Sequence, residues 1–364
     1  MFKRFFFIAF VALFLLRCSN KLEILAPYKE GIAVFGLLNQ NDAVQYIRIQ
    51  RVFLGEGNAL SMAQNPDSCY YKPGDLKVTL QRIKNGSQIS VDNPASAAME
   101  IVLTEAYVQT QPGIFNSNQL LYQTNHTLYE DGSQYKLVIH SNKTGKDFSS
   151  SNVGLIGDFS TTSVLSYAQQ HSVLTQNPPY PNPIPAVPIV PSNKGVVICK
   201  FNSPVNAAVC GLTLRLYYTE YATAGTPVSK YVDLGLGIQY LKSTQGSEEV
   251  DLTFSGDGMI NDIANAIKVD PNVNHRTADS VHFILNGAGY DLSLYNQVNS
   301  STSLSQTKPT YTNINGGVGV FSCRKEYALL KKISDNSKDR LADDPITCPL
   351  HFYNHGGQLS TSCP

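Results

Sequence analysis

Residues 207–218 read AAVCGLTLRLYY, and this stretch indicates the type of fold most directly. Leu212, Leu214 and Leu216 each stand next to a polar residue in this run. Alternation with a period of two places apolar side chains on one face of a β-strand and polar side chains on the other. The stretch therefore predicts a half-buried strand in an antiparallel sheet.

The same period recurs along the rest of the chain. Further strands are predicted around Ile47 and Ile49, around Leu76, Val78 and Leu80, around Tyr135, Leu137 and Ile139, around Val250, Leu252 and Phe254, and around Val281, Phe283 and Leu285. We therefore predict a mainly β protein with two β-sandwich-like domains. The N-terminal sandwich covers residues 31–170, and the second, β-rich domain covers residues 196–364.

Short helices are predicted on the sheet of the second domain, because apolar residues there recur at helical spacing. The segments are a helix capped by Asp257 with Met259, Ile260, Ile263 and Ile267 on one face, a helix over Tyr290–Val298, and a helix in RKEYALLKKI, in which Tyr327, Leu330 and Ile333 share a face.

Seven prolines lie between Pro178 and Pro191 in the run PPYPNPIPAVPIVP. Proline removes backbone donors and favours an extended polyproline conformation, so a sheet interior is excluded. We interpret residues 171–195 as a linker that is either a stiff spacer or a segment covering the first domain. A ligand for an aromatic-lined groove on a partner is the third alternative.

The N-terminus has the pattern of a lipoprotein signal peptide. Lys3 and Arg4 precede an apolar run that ends shortly before Cys18, and this run is too short to remain as a membrane-spanning anchor. We predict cleavage after residue 17, acylation of Cys18 and a tether over residues 18–30. An ordinary secretory signal is the alternative, because Arg17 stands where lipoprotein signals carry a small residue.

The charge balance argues against nucleic acid as a partner. The precursor has 28 Lys and Arg against 28 Asp and Glu, and loss of Lys3, Arg4 and Arg17 leaves 25 against 28, a net charge of −3. A chain of this charge has no basic stripe to follow a phosphate backbone.

Six cysteines remain besides Cys18, an even number that favours disulfides in an exported chain. Six thiols allow 15 pairings, which sequence does not decide between. The candidate pairs are Cys199–Cys210 on consecutive predicted strands, Cys348–Cys363 around a glycine-containing tail, and Cys69–Cys323 by elimination.

The tail also offers a zinc set, which we weigh against the disulfide. Cys348, His351, His355 and Cys363 follow the spacing C-x2-H-x3-H-x7-C, and two thiolates with two imidazoles satisfy tetrahedral zinc. The disulfide is favoured because an exported protein meets oxidising conditions. No metal or other cofactor is therefore predicted.

Glycine-rich runs at 233–237 and 315–319 lack the spacing of nucleotide-binding loops. They indicate strand bulges or close approach of two backbones. Asp343 and Asp344, next to Pro345, indicate a solvated turn at a helix end.

Tyrosine clusters are the remaining candidates for binding. Tyr217, Tyr218 and Tyr221, or Tyr70 and Tyr71, can stack on a sugar or a partner, but packing in the core or at an edge is favoured. No catalytic motif of a serine hydrolase or zinc protease is present, so we predict that the protein is not an enzyme. A hydrolase with dispersed acidic residues is the least favoured alternative.

Two blocks of sequence resemble a known family. They are NQNDAVQYIRIQRVFLG, residues 39–55, and QTKPTYTNINGGVGVFSCR, residues 306–324. With the signal ahead of them, they resemble a domain-of-unknown-function family of Bacteroidota outer-membrane lipoproteins (the 4249 type). The resemblance extends from about Gly31 to Phe352 and carries no catalytic residues.

The resemblance implies a protein anchored to the outer membrane through its N-terminal lipid. It also implies a TonB-dependent transporter, or another envelope protein, as a possible partner. We therefore expect a lipid-anchored protein with a non-catalytic binding or assembly role. A structural or adhesive surface subunit of the fimbrial β-sandwich type is the alternative.

Overall fold

The computed structural model describes residues 31–52, 66–109, 118–159, 186–187, 189, 196–300, 311–361 and 363. The predicted mainly β fold with few, short helices is confirmed. The strands are β1 (Ile32–Leu38), β2 (Gln45–Arg51), β3 (Leu76–Lys84), β4 (Ser87–Ile89), β5 (Glu100–Val102), β6 (Thr104–Gln109), β7 (Asn118–Thr124), β8 (Gln134–Ser141), β9 (Asp147–Ser150), β10 (Val153–Gly154), β11 (Ala186–Val187), β12 (Val196–Asn202), β13 (Val209–Ala222), β14 (Val228–Tyr240), β15 (Glu249–Ser255), β16 (Val273–Ala288), β17 (Ile314–Asn315) and β18 (Val318–Ile333). The helices are α1 (Pro66–Cys69), α2 (Gly256–Ala266), α3 (Tyr290–Ser300), α4 (Asp335–Asp343) and a 3-10 turn over Cys348–Leu350.

A nine-stranded main sheet extends through the molecule in the order β14-β13-β16-β18-β1-β2-β7-β6, with β11 also beside β18. Its central strand, β18, is antiparallel to β16 and parallel to β1. Because β1 belongs to the first predicted domain and β18 to the second, one sheet joins the two. The division at residues 171–195 therefore does not correspond to a break in this sheet.

Two smaller sheets cover one face of the main sheet. One has the order β17-β9-β8-β3-β4, with β10 on β8 and β5 on β3, and the other is the pair β12-β15. The Cys323 thiol of β18 donates a hydrogen bond to the Gly154 carbonyl of β10 across the interface, at 3.0 Å. One cluster of buried apolar side chains extends from Ile32 to Phe352. The face of the main sheet that meets this core is called the inner face below, and the opposite face is the outer face.

Two of the three predicted helices are confirmed, as α2 and α3. In α2, Met259, Ile260 and Ile263 are buried, and the helix packs against β14 and β15. Its N-cap is Ser255 rather than Asp257, since the Ser255 hydroxyl accepts a hydrogen bond from the Gly258 amide at 3.0 Å.

The helix predicted in RKEYALLKKI is wrong, because these residues form the second half of β18. Leu329, Lys331 and Ile333 face the core at every second position. Pairing with β16 on one side and with β11 on the other overrides the local helical spacing. The next helix, α4, begins only after Ser334, whose hydroxyl accepts from the Ser337 amide.

The signal peptide, Cys18 and the tether lie outside the described residues, as does most of the proline-rich segment. The exceptions are β11, which pairs with the end of β18, and Ile189, which is fully buried. The Ile189 amide donates to the Ser337 hydroxyl at 3.1 Å. Within the described ranges, no helix has the length and apolar composition that crossing a membrane requires.

Candidate functional site

Five cross-strand rows of side chains form the outer face over β14, β13, β16 and β18. In that strand order, the rows are Tyr240, Val209, Ala288 and Arg324; Ile238, Gly211, Asn286 and Glu326; Gly235, Thr213, Ile284 and Ala328; Asp233, Arg215, His282 and Leu330; and Tyr231, Tyr217, Ser280 and Lys332. Residues in register across antiparallel strands share a face and are in contact. The rows therefore bring together small, amide, charged and aromatic residues that are far apart in the sequence.

A concave region of about 580 Å³, called the outer hollow below, occupies the first three rows and is bordered by one side of α3. Its residues include Gly211, Thr213, Gly235, Gly237, Ile238, Tyr240, Asn286, Ala288, Ser293, Asn296, Arg324 and Glu326. The volume lies within the range of sites that hold small molecules.

Glycines leave the floor of the outer hollow without side chains. A Cβ atom added at Gly235 would meet no atom within 4 Å. The register shifts by one residue where Leu212 pairs with Gly237 and Thr213 with Gly235, and Gly237 adopts a φ of +125°. This is a β-bulge, as the glycine run at 233–237 predicts.

Neutral polar groups and one arginine held by two carboxylates line the hollow. The Asn286 amide nitrogen donates to the Thr213 hydroxyl at 3.1 Å and to the Ile284 carbonyl at 3.2 Å. Arg324 donates to Glu326 at 2.8 Å and to Asp42 at 2.9 Å. Because both carboxylates lie beside the guanidinium, the hollow has no unbalanced cation.

An ion pair with aromatic neighbours forms the adjoining two rows. Arg215 donates to both carboxylate oxygens of Asp233, at 2.6 and 2.8 Å, and its guanidinium lies 4.5 Å from the centre of the Tyr231 ring. The ring of Tyr217 is 5.9 Å from that of Tyr231 and 4.9 Å from that of His282. This cluster forms a wall beside the hollow.

Charge and burial determine the protonation states of Arg215, Asp233 and His282 in this wall. Hydrogen bonds from Arg215 hold the pKa of Asp233 below its usual value, and the same bonds raise the pKa of Arg215. Burial, and secondarily the charge of Arg215, lower the pKa of His282. The ion pair is therefore charged and His282 neutral at pH 7.

Helix α3 separates the outer hollow from a second concave region on the same face. The Leu292 amide of α3 donates to the Ser322 hydroxyl of β18 at 3.2 Å, which holds the helix on the sheet. The second region, of about 420 Å³, lies over β1 and β2 and includes Phe35 and Arg48. Arg48 lies 5.6 Å from the centre of the Phe35 ring.

The predicted tyrosine clusters divide between the two faces. Tyr70, Tyr71 and Tyr218 are buried, as core packing predicts. Tyr217 lies in the wall beside the outer hollow. Tyr221 stacks on His275 at 4.3 Å.

Of the predicted disulfides, Cys348–Cys363 is present, with 5.7 Å between the Cα atoms. The Cys199–Cys210 bridge is not formed, because β12 pairs with β15 whereas β13 pairs with β14 and β16. The two strands are consecutive in the chain but do not pair with each other, so they do not bring the two thiols face to face. Burial raises the pKa of both thiols to about 12.

The bridge predicted by elimination, Cys69–Cys323, is not formed either. Cys323 lies on the inner face, where its thiol bonds to Gly154, and Cys69 belongs to a separate small cluster with Tyr70. Elimination fails here because it assumes that every thiol outside the other pairs is oxidised. Burial raises the pKa of Cys323 to about 12, which disfavours the reactive thiolate.

The alternative zinc set is not assembled. The sulfur atoms of Cys348 and Cys363 bond to each other, and His355 pairs with Asp339 at 2.7 Å. His351 approaches the Val273 carbonyl at 3.4 Å. In the part of the chain that the structure covers, no three His, Cys, Asp or Glu residues lie together in a way that could hold a metal ion.

The other two motifs have structural roles. Gly319 adopts a φ of +107°, and a Cβ atom there would lie 2.0 Å from the Val34 carbonyl oxygen. Close backbone approach is therefore confirmed for the glycine run at 315–319. Asp343 ends α4 and Asp344 is its C-cap, as a solvated helix end predicts.

Comparison with known proteins gives little to set beside this geometry. No family model matches the chain, and no curated protein matches it. Among solved structures, the C-terminal globular domain of an oligosaccharyltransferase from Pyrococcus abyssi is similar at 12% identity, with a TM-score of 0.20. The match covers 85% of this chain and 52% of that one, so the chain spans about half the length of that structure.

The outer hollow is the site that the sequence analysis did not identify. Its residues come from β13, β14, β16, α3 and β18, and only the register of the strands brings them together. The available signal was the glycines at 211 and 235, which replace side chains at polar positions of otherwise alternating strands. Such glycines mark places where a ligand or another chain can approach the backbone.

Proposed function

We propose that the protein is a non-catalytic binding protein, anchored to the outer membrane through a lipid on Cys18. It serves as an accessory to a TonB-dependent transporter. The outer hollow is its ligand site. The observation that carries this proposal is a concave region of about 580 Å³, built on the main sheet and lined by groups suited to recognition.

The state of the charged groups supports binding over catalysis. Arg215 and Asp233 satisfy each other, and Arg324 is held by two carboxylates. A nucleophile or general base needs a group that can exchange a proton near neutral pH. The Arg215–Asp233 pair stays charged there, whereas the amides of Asn286 and Asn296 offer neutral hydrogen bonds.

Anchoring and partner are supported by the sequence. The apolar run after Lys3 and Arg4 ends shortly before Cys18, and the two blocks at 39–55 and 306–324 resemble lipoproteins that are often associated with TonB-dependent transporters.

The test combines acyl labelling with co-purification. Wild type and Cys18→Ala are expressed in a Bacteroidota host with a labelled fatty acid, and tagged protein is isolated from detergent-solubilised membranes. We expect label on wild type only, and a TonB-dependent transporter in the wild-type eluate. A wild-type protein without label, or one that elutes alone, contradicts the proposal.

A second candidate is a structural or adhesive subunit that assembles by strand exchange. It is favoured by β14, an edge strand of the main sheet that exposes Val228, Tyr231 and Ile238. Polymers of purified protein, observed by electron microscopy, would support this candidate. A sample that stays monomeric at high concentration would exclude it.

A further inference from the structure

We infer that the ligand of the outer hollow is a neutral saccharide, which rests on the binding role proposed above. A sugar ring presents a face of C–H groups and a rim of hydroxyl groups. Its site therefore needs an exposed apolar surface next to neutral donors and acceptors.

The apolar surface is present at the rim of the hollow. Tyr240 is 48% exposed and Ile238 is 62% exposed, and both point outward from β14 beside the glycine floor. Large apolar side chains left in solvent beside a concave site mark an interaction surface. A tyrosine ring also stacks on an apolar face while its hydroxyl stays in water.

The neutral donors and acceptors lie on the other side of the floor. The amide nitrogen of Asn286 is used by Thr213 and by the Ile284 carbonyl, and no described residue donates to its Oδ1 atom. Asn296 of α3 is exposed at the edge of the hollow. A hydroxyl group both donates and accepts, so it can satisfy either amide.

The charges select against other small ligands. Arg215 is paired with Asp233, and Arg324 is held by both Asp42 and Glu326, so an anionic ligand finds no unpaired guanidinium in these two pairs. A wholly apolar ligand would bury the side-chain amides without hydrogen bonds, which is costly.

The location disfavours a peptide. Extended peptides usually add a strand at the edge of a sheet, where backbone groups are free. The hollow opens on a face of the sheet, and the strands at its centre, β13 and β16, are paired on both sides, so only its rim strand β14 has a free edge. A saccharide needs no backbone pairing and fits this location.

The chain contains no tryptophan, so Tyr240→Trp introduces a single fluorophore at the hollow. Its control is Tyr107→Trp, on the far edge strand β6 of the same sheet, where Tyr107 is 60% exposed. Both full-length proteins are titrated with neutral oligosaccharides of the malto-, cello-, xylo- and chito- series. We expect at least one series to change the emission of Tyr240→Trp saturably and to leave Tyr107→Trp unchanged.

A second variant separates recognition from a nonspecific optical effect. Asn286→Ala in the Tyr240→Trp background should weaken the affinity for that sugar at least tenfold, and Asn299→Ala, across α3, should not. The saccharide proposal is overturned if none of the series gives a saturable change. It is also overturned if the Asn286→Ala protein binds the sugar with the same affinity as its Tyr240→Trp parent. A response to transporter-derived peptides in place of sugars also overturns it.

These outcomes are independent of anchoring. A protein that is acylated and bound to a transporter but ignores every sugar leaves the proposed function in place and removes only the ligand class. A protein that binds sugar but carries no acyl label keeps the proposed ligand class and removes the proposed anchoring.

Discussion

Two arginine–carboxylate pairs share strand β13 and point to opposite faces of the main sheet. Arg276 on β16 pairs with Glu220 on β13 at the inner face, and its side chain is 1% exposed. Arg215 on β13 pairs with Asp233 on β14 at the outer face, and its side chain is 31% exposed. The chemistry is the same, but the surroundings differ.

The inner pair connects the C-terminal segment to the sheet. Beyond Glu220, the Arg276 guanidinium donates to the Leu350 carbonyl at 2.5 Å and to the Lys268 carbonyl at 3.1 Å. Its backbone amide donates to the His351 carbonyl at 2.8 Å. Removing one member of such a buried, hydrogen-bonded group destabilises the fold, because the remaining buried polar groups lose their partner.

The outer pair has a different consequence. Solvent screens it, so it adds little to stability. What it does is fix Arg215 over the Tyr231 ring and keep the wall of the hollow neutral overall. The inner face thus holds the protein together, and the outer face is free to bind.

The largest effect is expected for Arg276→Met. The substitution removes the hydrogen bonds from the guanidinium to Glu220, to the Leu350 carbonyl and to the Lys268 carbonyl. Glu220 then keeps its ion pair with Lys230. Loss of one partner of a buried pair costs about 3–5 kcal/mol. Urea unfolding followed by circular dichroism measures this, and a loss below about 1 kcal/mol would remove the distinction between the two faces.

Loss of the C-terminal disulfide should have the next largest effect. The bond links residues 15 apart, and closing a loop of this size contributes about 3 kcal/mol, mainly by restricting the unfolded chain. Cys363→Ser should therefore lower the free energy of unfolding by about 2–4 kcal/mol, measured in the same urea assay. Equal stability of this variant and wild type without reductant would mean that the bond does not form.

Acid should weaken the inner pair in a predictable direction. Burial alone would raise the pKa of Glu220, but hydrogen bonds from Lys230 and Arg276 outweigh it and hold the pKa below its usual 4.5. A lowered folded-state pKa gives stability that is present above pH 4.5 and is lost as the pH falls through the folded pKa.

Glu220→Gln removes this titration. Its unfolding free energy should fall less than that of wild type between pH 5 and pH 3, in urea titrations at each pH. A steeper acid loss in the variant would contradict the assignment of Glu220 as a charged partner.

The smallest effect on stability is expected for Arg215→Met, the counterpart of Arg276→Met on the outer face. An ion pair exposed to this degree contributes about 0–1 kcal/mol. The same urea assay should detect a change below about 1 kcal/mol. A loss as large as that of Arg276→Met would show that the outer pair is structural as well.

The strands follow from local pattern, whereas the site depends on register. Alternation at Leu212, Leu214 and Leu216 identifies β13, because burial of one face of a strand requires an apolar residue at every second position of a short stretch of sequence. The parallel pairing of β1 with β18 joins residues nearly 300 positions apart, and no local signal encodes it. The outer hollow depends on that same kind of long-range information.

Local rules failed where tertiary pairing competes with them. Tyr327, Leu330 and Ile333 share a face only in a helix, whereas in β18 Leu330 lies on the outer face and Ile333 on the inner face, and pairing with the neighbouring strands decides the structure. Cys199 and Cys210 are near in sequence but lie on strands with other partners. The tail disulfide could be predicted because its loop is short and contains glycines.

The most direct test of the separation between the two faces is Gly235→Val. The new side chain enters open space, since no atom lies within 4 Å of the added Cβ, and a β-branched residue suits a strand. Urea unfolding of this variant is measured together with isothermal titration against the neutral oligosaccharides. We predict a free energy of unfolding within about 1 kcal/mol of wild type and saccharide binding weakened at least tenfold, because the floor of the hollow is filled. A stable variant that binds as well as wild type would contradict the account.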